Sequence, residues 1–453
     1  LSKKHRKQAR KIFCTEFDII VKKHILVSNQ GDDSMNDLTE GLADTQARAL
    51  AIDWFPQTPP QSARQFGVTL RTEDGAATSG ILYRGESSKT VVCLMHPREN
   101  FAFHYMIPAL LNAGASVWAQ ASRSVGNDLR LEHELALHDV AAGMRYLRES
   151  GFEHIVMLGN SGGSGLYSLY HQQATRPAES RIARTPGGRA TQLETASLPV
   201  ADAMIYLAPH PGQGRLLLGC IDPAVTDEAD PLSVDDSLNA FNPANGYSRE
   251  PGQTRYSPEF VTRYRQAQRE RVARLDEHAR ALIAVRQDAR RAVKEQRATS
   301  RQKAEANHTP VLTVWRTDAD LRCLDQTLDP SDRLPGSLWS SNPVISNYGS
   351  VGFGRLCSPE SWLSTWSGIA SNAALELTAP AVEVPALLVE YTGDQTTFPD
   401  AIRDIFAAIG ATDKTHLRVR GDHHGRPLGS GEEAGRYVAG RLIANWLKER
   451  DFL

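Results

Sequence analysis

From about Gln65 the apolar positions alternate between strand-like and helix-like periods. FGVTLRTEDG and ATSGILYRG predict two short strands joined by the turn Glu73-Asp74-Gly75. TVVCLMH is apolar without a break, which predicts a central strand buried on both faces. FHYMIPALLNAG has helical spacing and stops at Gly114. ASVWAQA predicts the next strand, and LEHELALHDVAAGMRYLRESG the next helix, stopped at Gly151. HIVMLGN is a strand that runs into the helix SGGSGLYSLYHQQA, and ADAMIYLAPH is a further strand. Alternation at this spacing predicts an α/β fold class, a mostly parallel sheet with helices on both faces.

The alternation lapses over residues 211–383. That stretch is first rich in Pro, Asp and Asn, then helical from Pro258 to Lys303. Val261, Tyr264, Val272, Leu275, Leu282, Val285, Ala289 and Val293 fall there at mostly helical intervals. A region with Trp315, Trp339, Trp362 and Trp366 follows, and the α/β pattern resumes with VPALLVEYTGD, THLRVRGDHHG and the closing helix EEAGRYVAGRLIANWLKERDFL. The expected organisation is a core in two parts, 65–210 and 384–453, with a largely helical cap inserted at 211–383. Ahead of it are expected a leader at 1–34, without a catalytic role, and an extension at 35–64. LSKKHRKQARK resembles the basic start of a signal peptide, but Glu16, Asp18, Lys22 and Lys23 break the apolar run that should follow. Met35 opens a plausible start.

Composition narrows the classes. The 453 residues suffice for one large domain with an insertion, or for two domains. A formal net charge of −2 creates no field toward nucleic acid or an anionic membrane. No apolar run approaches the roughly 18 residues of a membrane span. Cys14, Cys93, Cys220, Cys323 and Cys357 are scattered and form no CxxC pair, so no zinc site or disulfide framework is indicated. A reducing, cytoplasmic compartment is expected. The Arg-rich helix invites a nucleic-acid reading, but Glu259, Glu270, Asp276, Glu277, Asp288 and Glu295 are interspersed, as on a salt-bridged solvated helix. Neither nucleic acid nor membrane is therefore expected as a partner. The oligomeric state is left open, a homodimer included.

Gly159-Asn160-Ser161-Gly162-Gly163 is a GxSxG match with a buried strand before it and a helix-compatible stretch after it. That context is what a strand-to-helix turn needs to hold a serine in a strained conformation. The two outer glycines suit a close approach of strand and helix, and the helix N-terminus puts N–H groups beside the serine, where an oxyanion develops in acyl transfer. The plainer alternative is an ordinary glycine-rich βα turn, one that binds phosphate included.

In these residues the chain resembles the α/β-hydrolase family, over 66–210 and 384–453, with the insertion where that family often carries a cap. The resemblance implies Ser161 as nucleophile, followed in the chain by an acid and a histidine. It places the acid at Asp394, after the strand VPALLVEYTGD, with Glu390 and Asp222 as rivals. The histidine falls in Gly421-Asp422-His423-His424-Gly425, with His423 favoured and His424 the alternate. For the oxyanion hole it implies the N–H of Gly162 and a second donor from His96-Pro97-Arg98-Glu99-Asn100. The family commonly has His-Gly at this point; proline has no N–H, so the expected donor is the backbone of Arg98, with His96 shaping the loop. The Arg98 side chain is also a candidate for binding a substrate carboxylate. The expected activity is hydrolysis of a carboxylic ester of a small or medium apolar or aromatic molecule through an acyl-enzyme. Amidase, thioesterase and carbon–carbon bond hydrolase remain alternatives; a haloalkane dehalogenase would carry Asp at the elbow. No metal site or dinucleotide fingerprint is visible, and no cofactor is expected. The tryptophans, with Tyr348 and Phe353, are either a wall of the substrate pocket or the cap's own core.

Overall fold

A computed structural model describes residues 63–85, 88–349 and 351–453. The expectations for residues 1–34 and 35–62 lie outside it. β1 (Arg64–Arg71) and β2 (Ala77–Arg84) form a hairpin, followed by β3 (Thr90–His96), α1 (Ile107–Ala113), β4 (Ser116–Ala121) and α2 (His133–Glu149). Next come β5 (His154–Asn160), α3 (Gly162–Thr175), β6 (Ala203–Leu207) and α4 (Gln213–Cys220). α5 (Pro258–Lys294), α6 (Ser300–Asn307) and the short pair β7 (Leu312–Thr313) and β8 (Leu356–Cys357) follow. The chain then returns to the sheet through β9 (Ala386–Tyr391), α7 (Pro399–Ala408), β10 (Lys414–Val419) and α8 (Gly435–Lys448).

The eight-stranded sheet has the order β1-β2-β4-β3-β5-β6-β9-β10. β2 pairs antiparallel with both β1 and β4, and all other pairs are parallel. Alternate side chains of the central strands enter two separate cores. Val91, Cys93 and Met95 of β3, with Ile155 and Met157 of β5, pack against α2, α3 and α7. Val92, Leu94, Val156 and Leu158 face α1 and α8, where they meet Ile107, Leu110, Ile443 and Trp446. Full burial of each such aliphatic side chain contributes about 1.5–3 kcal/mol before chain entropy is counted. Because β3, β5, β6, β9 and β10 run parallel, their C-terminal ends share one edge. Ligands bind at that edge in open α/β sheets.

Residues 208–385, between β6 and β9, build a body around two apolar clusters, the first of which also takes in Leu131 from the segment before α2. One gathers Leu217, Ile221, Val272, Leu275, Trp362 and Trp366, and the other Tyr256, Phe260, Tyr264 and Leu321. The single helix expected from Pro258 to Lys303 is two. α5 stops at Lys294, Gln296 turns through φ 55°, and Thr299 with Gln302 forms a capping box that starts α6. Its buried face also differs from the expected stripe: Val285 and Val293 are exposed, while Gln268, Arg271 and Asp276 are buried. These polar groups are satisfied locally. Gln268 donates to the carbonyls of Gly219 and Ile221, Arg271 forks onto Glu228, and Asp276 accepts from Trp362 Nε1 at 2.8 Å. Periodicity of apolar residues misses a face that is buried by hydrogen bonding. Among the described residues no helix is long and apolar enough to cross a membrane.

Candidate active site

Ser161 sits between β5 and α3 with φ 53° and ψ −122°, a conformation L-residues rarely adopt. The surroundings leave no alternative path. A Cβ on Gly159 would lie 2.5 Å from Ser164 Cα, and one on Gly163 would lie 2.5 Å from the Met95 carbonyl oxygen of β3. The Ser161 N–H donates to Leu207 O at 3.0 Å, which ties the turn to β6.

Two later strand ends meet this serine. Asp394 follows β9, and its Oδ1 accepts the N–H groups of Thr396 and Thr397 at 2.6 and 3.1 Å. Its Oδ2 lies 2.7 Å from Nδ1 of His423, whose Nε2 lies 3.0 Å from Ser161 Oγ. Asp422 shapes the turn after β10 by accepting the N–H groups of His424 and Arg426 and holding the Arg426 guanidinium. Burial opposes a charged His423 ring, but the charge and hydrogen bond of Asp394 outweigh it and raise the His423 pKa above its ordinary value. That is the electrostatic condition under which an imidazole accepts a proton from a serine hydroxyl.

The rival residues are engaged elsewhere. His424 packs edge-on against His423, 5.1 Å between ring centres, and burial first, then the neighbouring His423, holds it well below the ordinary histidine range. Glu390 is paired with His416 and Arg418 on the adjacent strand β10. Asp222 is fully buried against Arg316 and Asn347, inside the body formed by residues 208–385.

One antiparallel strand in an eight-stranded parallel sheet, a strained serine after β5, an acid after β9 and a histidine after β10 define the architecture. The chain has the α/β-hydrolase fold. No family model matches the sequence, and comparison with curated proteins finds no match. Solved structures do match over most of their length. DcsB in complex with its substrate analogue is 12% identical, covering 85% of this chain and 99% of that one, with a TM-score of 0.47. The alpha/beta hydrolase GrgF from Penicillium sp. sh18 is 12% identical, with coverage of 86% and 97% and a TM-score of 0.43. The monoacylglycerol lipase of Paleococcus ferrophilus is 15% identical, with coverage of 86% and 100% and a TM-score of 0.38. None of these scores reaches 0.5, so strand order and site geometry carry the identification.

One expectation for this hydrolase fold is corrected. The Arg98 N–H does not face the serine, because it donates to Nδ1 of His96 at 3.2 Å, and the Glu99 N–H joins it at 3.0 Å. The proline between His96 and Arg98 turns the chain so that the ring reaches the two N–H groups that follow. The Arg98 guanidinium lines the cavity but is already forked onto the Asp128 carboxylate at 2.9 and 3.1 Å and lies over the Trp366 ring. Gly162, the first residue of α3, keeps an N–H without an intrahelical acceptor, as first-turn amides do.

A cavity of about 360 Å³ opens onto Ser161 and His423. Its far wall comes from residues 334–339 and Phe353, and Leu428 closes another side. The tryptophans divide between the two roles. Trp339 lines the cavity and packs against Phe353 at 5.3 Å, whereas Trp362 and Trp366 are fully buried in the core of their own body. Trp315 and Tyr348 lie away from the cavity, beside Arg355 and Arg316. Asn160, His210 and Gln213 also line it and were absent from the sequence-based set. The available signal was a repeated His-Pro pair, His96-Pro97 and His210-Pro211, after two strands. Among the described residues no group of three or more His, Cys, Asp or Glu is arranged to hold a metal ion.

Proposed function

We propose that this chain is a serine hydrolase that cleaves a carboxylic ester of a small or medium apolar or aromatic molecule. The observation that carries the reading is His423, hydrogen-bonded to both Ser161 Oγ and Asp394 from the ends of three different strands. In the first half-reaction Ser161 Oγ bonds to the ester carbonyl carbon while its proton passes to His423 Nε2. Asp394 keeps the Nδ1 proton in place and offsets the charge of the imidazolium. The carbonyl π pair moves onto oxygen, beside the Gly162 N–H. Collapse breaks the bond to the alcohol oxygen, which leaves with the proton from His423. Water then attacks the acyl-enzyme with His423 again taking the proton, and the acid and free Ser161 are regenerated.

Trp339, Phe353, Leu338 and Leu428 around the cavity favour an apolar or aromatic group on the acyl or alcohol side. Residues 211–383 act in this reading as a cap that excludes water and selects the substrate. An ester is preferred over an amide or a carbon–carbon bond because an alcohol leaves more readily than an amine or a carbanion and demands least beyond a triad and an oxyanion hole; a thioester is the alternative on the same triad. The free, buried thiols of Cys93, Cys220, Cys323 and Cys357 fit a reducing compartment such as the cytoplasm.

The test is fluorophosphonate labelling with peptide mapping, followed by turnover of a p-nitrophenyl ester series. The label is expected on the peptide that contains Ser161, with Ser161→Ala unlabelled and inactive. Full labelling of Ser161→Ala would sink the assignment.

A further inference from the structure

β5, which carries Ser161, is flanked in the sheet by β3 and β6. Both neighbours lead into a His-Pro corner, His96-Pro97 and His210-Pro211. At each corner the imidazole folds back onto its own chain. Nδ1 of His96 accepts the N–H groups of Arg98 and Glu99, and Nδ1 of His210 accepts that of Gly212 at 3.1 Å. A ring nitrogen that accepts carries no proton, so each neutral ring holds its hydrogen on Nε2. Both rings are neutral: burial, then the charge of Arg98, holds His96 well below the ordinary range, and burial with His423 pushes His210 down to about 3. The second corner also seats Gln213, the first residue of α4.

The two loops meet over the Ser161–Gly162 peptide. A Cβ on Gly162 would lie 2.6 Å from His96 Nε2 and 2.7 Å from Gln213 Nε2. Both side chains are buried, 5% and 2% exposed, and both line the cavity that contains Ser161. Neither nitrogen has a hydrogen-bond acceptor among the described residues. Each is a donor that the cavity leaves open to an incoming acceptor. Two of them facing one spot, beside a free helix N-terminal amide, describe a space for an oxygen that arrives with the substrate.

We propose that His96 Nε2–H and Gln213 Nε2–H, together with the Gly162 N–H, hold the oxyanion, in place of a second backbone donor. This assignment rests on the serine-hydrolase reading above. As Ser161 Oγ bonds to carbon, the carbonyl oxygen becomes negative and draws the three N–H groups closer. None of them gives up its proton, and neutral donors do not compete for the proton that His423 takes.

The test measures p-nitrophenyl acetate turnover and the affinity of phenylboronic acid, which forms a tetrahedral anionic adduct on a serine oxygen. His96→Ala and Gln213→Leu are each expected to lower kcat by roughly 10–10³-fold with KM within about threefold, the signature of a contact made only in the transition state. Boronate affinity should fall in parallel. Gln213→Glu should lose more than Gln213→Leu, since it sets an anion against the oxyanion. His96→Gln, which retains a side-chain N–H, should recover part of the loss of His96→Ala. Rates and boronate affinities within about twofold of the parent for His96→Ala and Gln213→Leu, or losses confined to KM, overturn the proposal. If His96→Ala does not fold, the Gln213 variants decide by the same criterion. Activity surviving in Ser161→Ala means that the hydrolase reading itself has failed. An inactive Ser161→Ala beside fully active His96 and Gln213 variants removes this assignment alone.

Discussion

Along β3 and β5 every side chain from Val91 to Met95 and from Ile155 to Leu158 is apolar and buried. The body between β6 and β9 instead buries Arg271, Arg316, Asp222, Asp276, Asp318 and Asp320. Arg316 reaches Asp222 at 2.6 Å, Arg271 reaches Glu228 at 2.7 Å, and Asp320 takes both Arg265 and Arg322. Apolar contact is non-directional, and strand pairing supplies the register of the sheet. A buried ion pair stabilises little on balance, because desolvation offsets attraction, but it penalises every arrangement that separates the partners. The inserted body is mostly loops and so uses charge to define its shape. Asp318 shows the consequence: Ser337 Oγ donates to it at 2.8 Å, two residues before the cavity-lining Trp339. The sheet therefore places Ser161, Asp394 and His423, and a polar network places the wall opposite them.

This division predicts two kinds of variant. His423→Ala should lower kcat by roughly 10³-fold or more while the melting temperature stays close to the parent value. The acid limb of kcat/KM should lie above pH 6.5, because the His423 pKa is raised. Activity needs the neutral ring, so rate is lost as pH falls through that value. Asp394→Asn should shift the limb down, since the largest opposition to burial is then lost; a limb that does not move means that Asp394 does not set the base.

Variants in the inserted body should behave in the opposite way. Asp222→Ala strands the Arg316 guanidinium and should cost about 3–5 kcal/mol of stability. Trp362→Ala should cost a similar amount by opening a cavity. In denaturant titrations both should lower the midpoint, with kcat per folded molecule nearly unchanged. A large fall in kcat at unaltered stability would break the comparison.

Glu134 tests the seam between the regions. It lies on α2, fully buried, and accepts hydrogen bonds from Ser364 and Asn372 of the inserted body. Burial raises its pKa to about 7, against 4.5 for an ordinary glutamate. Between those values the unfolded chain binds fewer protons than the folded one, so stability falls as pH rises from about 4.5 to about 7 and then levels off. Glu134→Gln should flatten that slope in melting temperatures measured across pH 5–8. An unchanged slope would place the titrating group elsewhere.

The smallest effect belongs to Trp339→Ala. It should raise KM for aromatic esters about tenfold relative to short aliphatic ones, with little change in kcat or melting temperature. A drop in stability without a change in specificity would return Trp339 to a packing role.

The α/β alternation was legible because buried parallel strands read as unbroken apolar runs, and helices as 3.6-residue stripes closed by Gly114 and Gly151. The Gly159–Gly163 turn was legible because its restraints are local: a strand, a strained serine and a helix that are consecutive in the chain. The buried face of α5 was not. Gln268, Arg271 and Asp276 are polar by sequence, and only partners distant in the chain make their burial affordable. Nor did sequence divide the tryptophans, since Trp339 and Trp362 differ in what packs over them, not in spacing.

At the site itself, sequence determined which residue types stand at the strand ends, Ser161, Asp394 and the pair His423-His424. Tertiary structure decided which ring lies between the other two, because neighbouring residues in a tight turn point in different directions and Asp422 sets that turn from within. It also decided the fate of the Arg98 N–H. That amide is available by composition, but the preceding His96 ring folds back onto it, and a donor has one hydrogen to give.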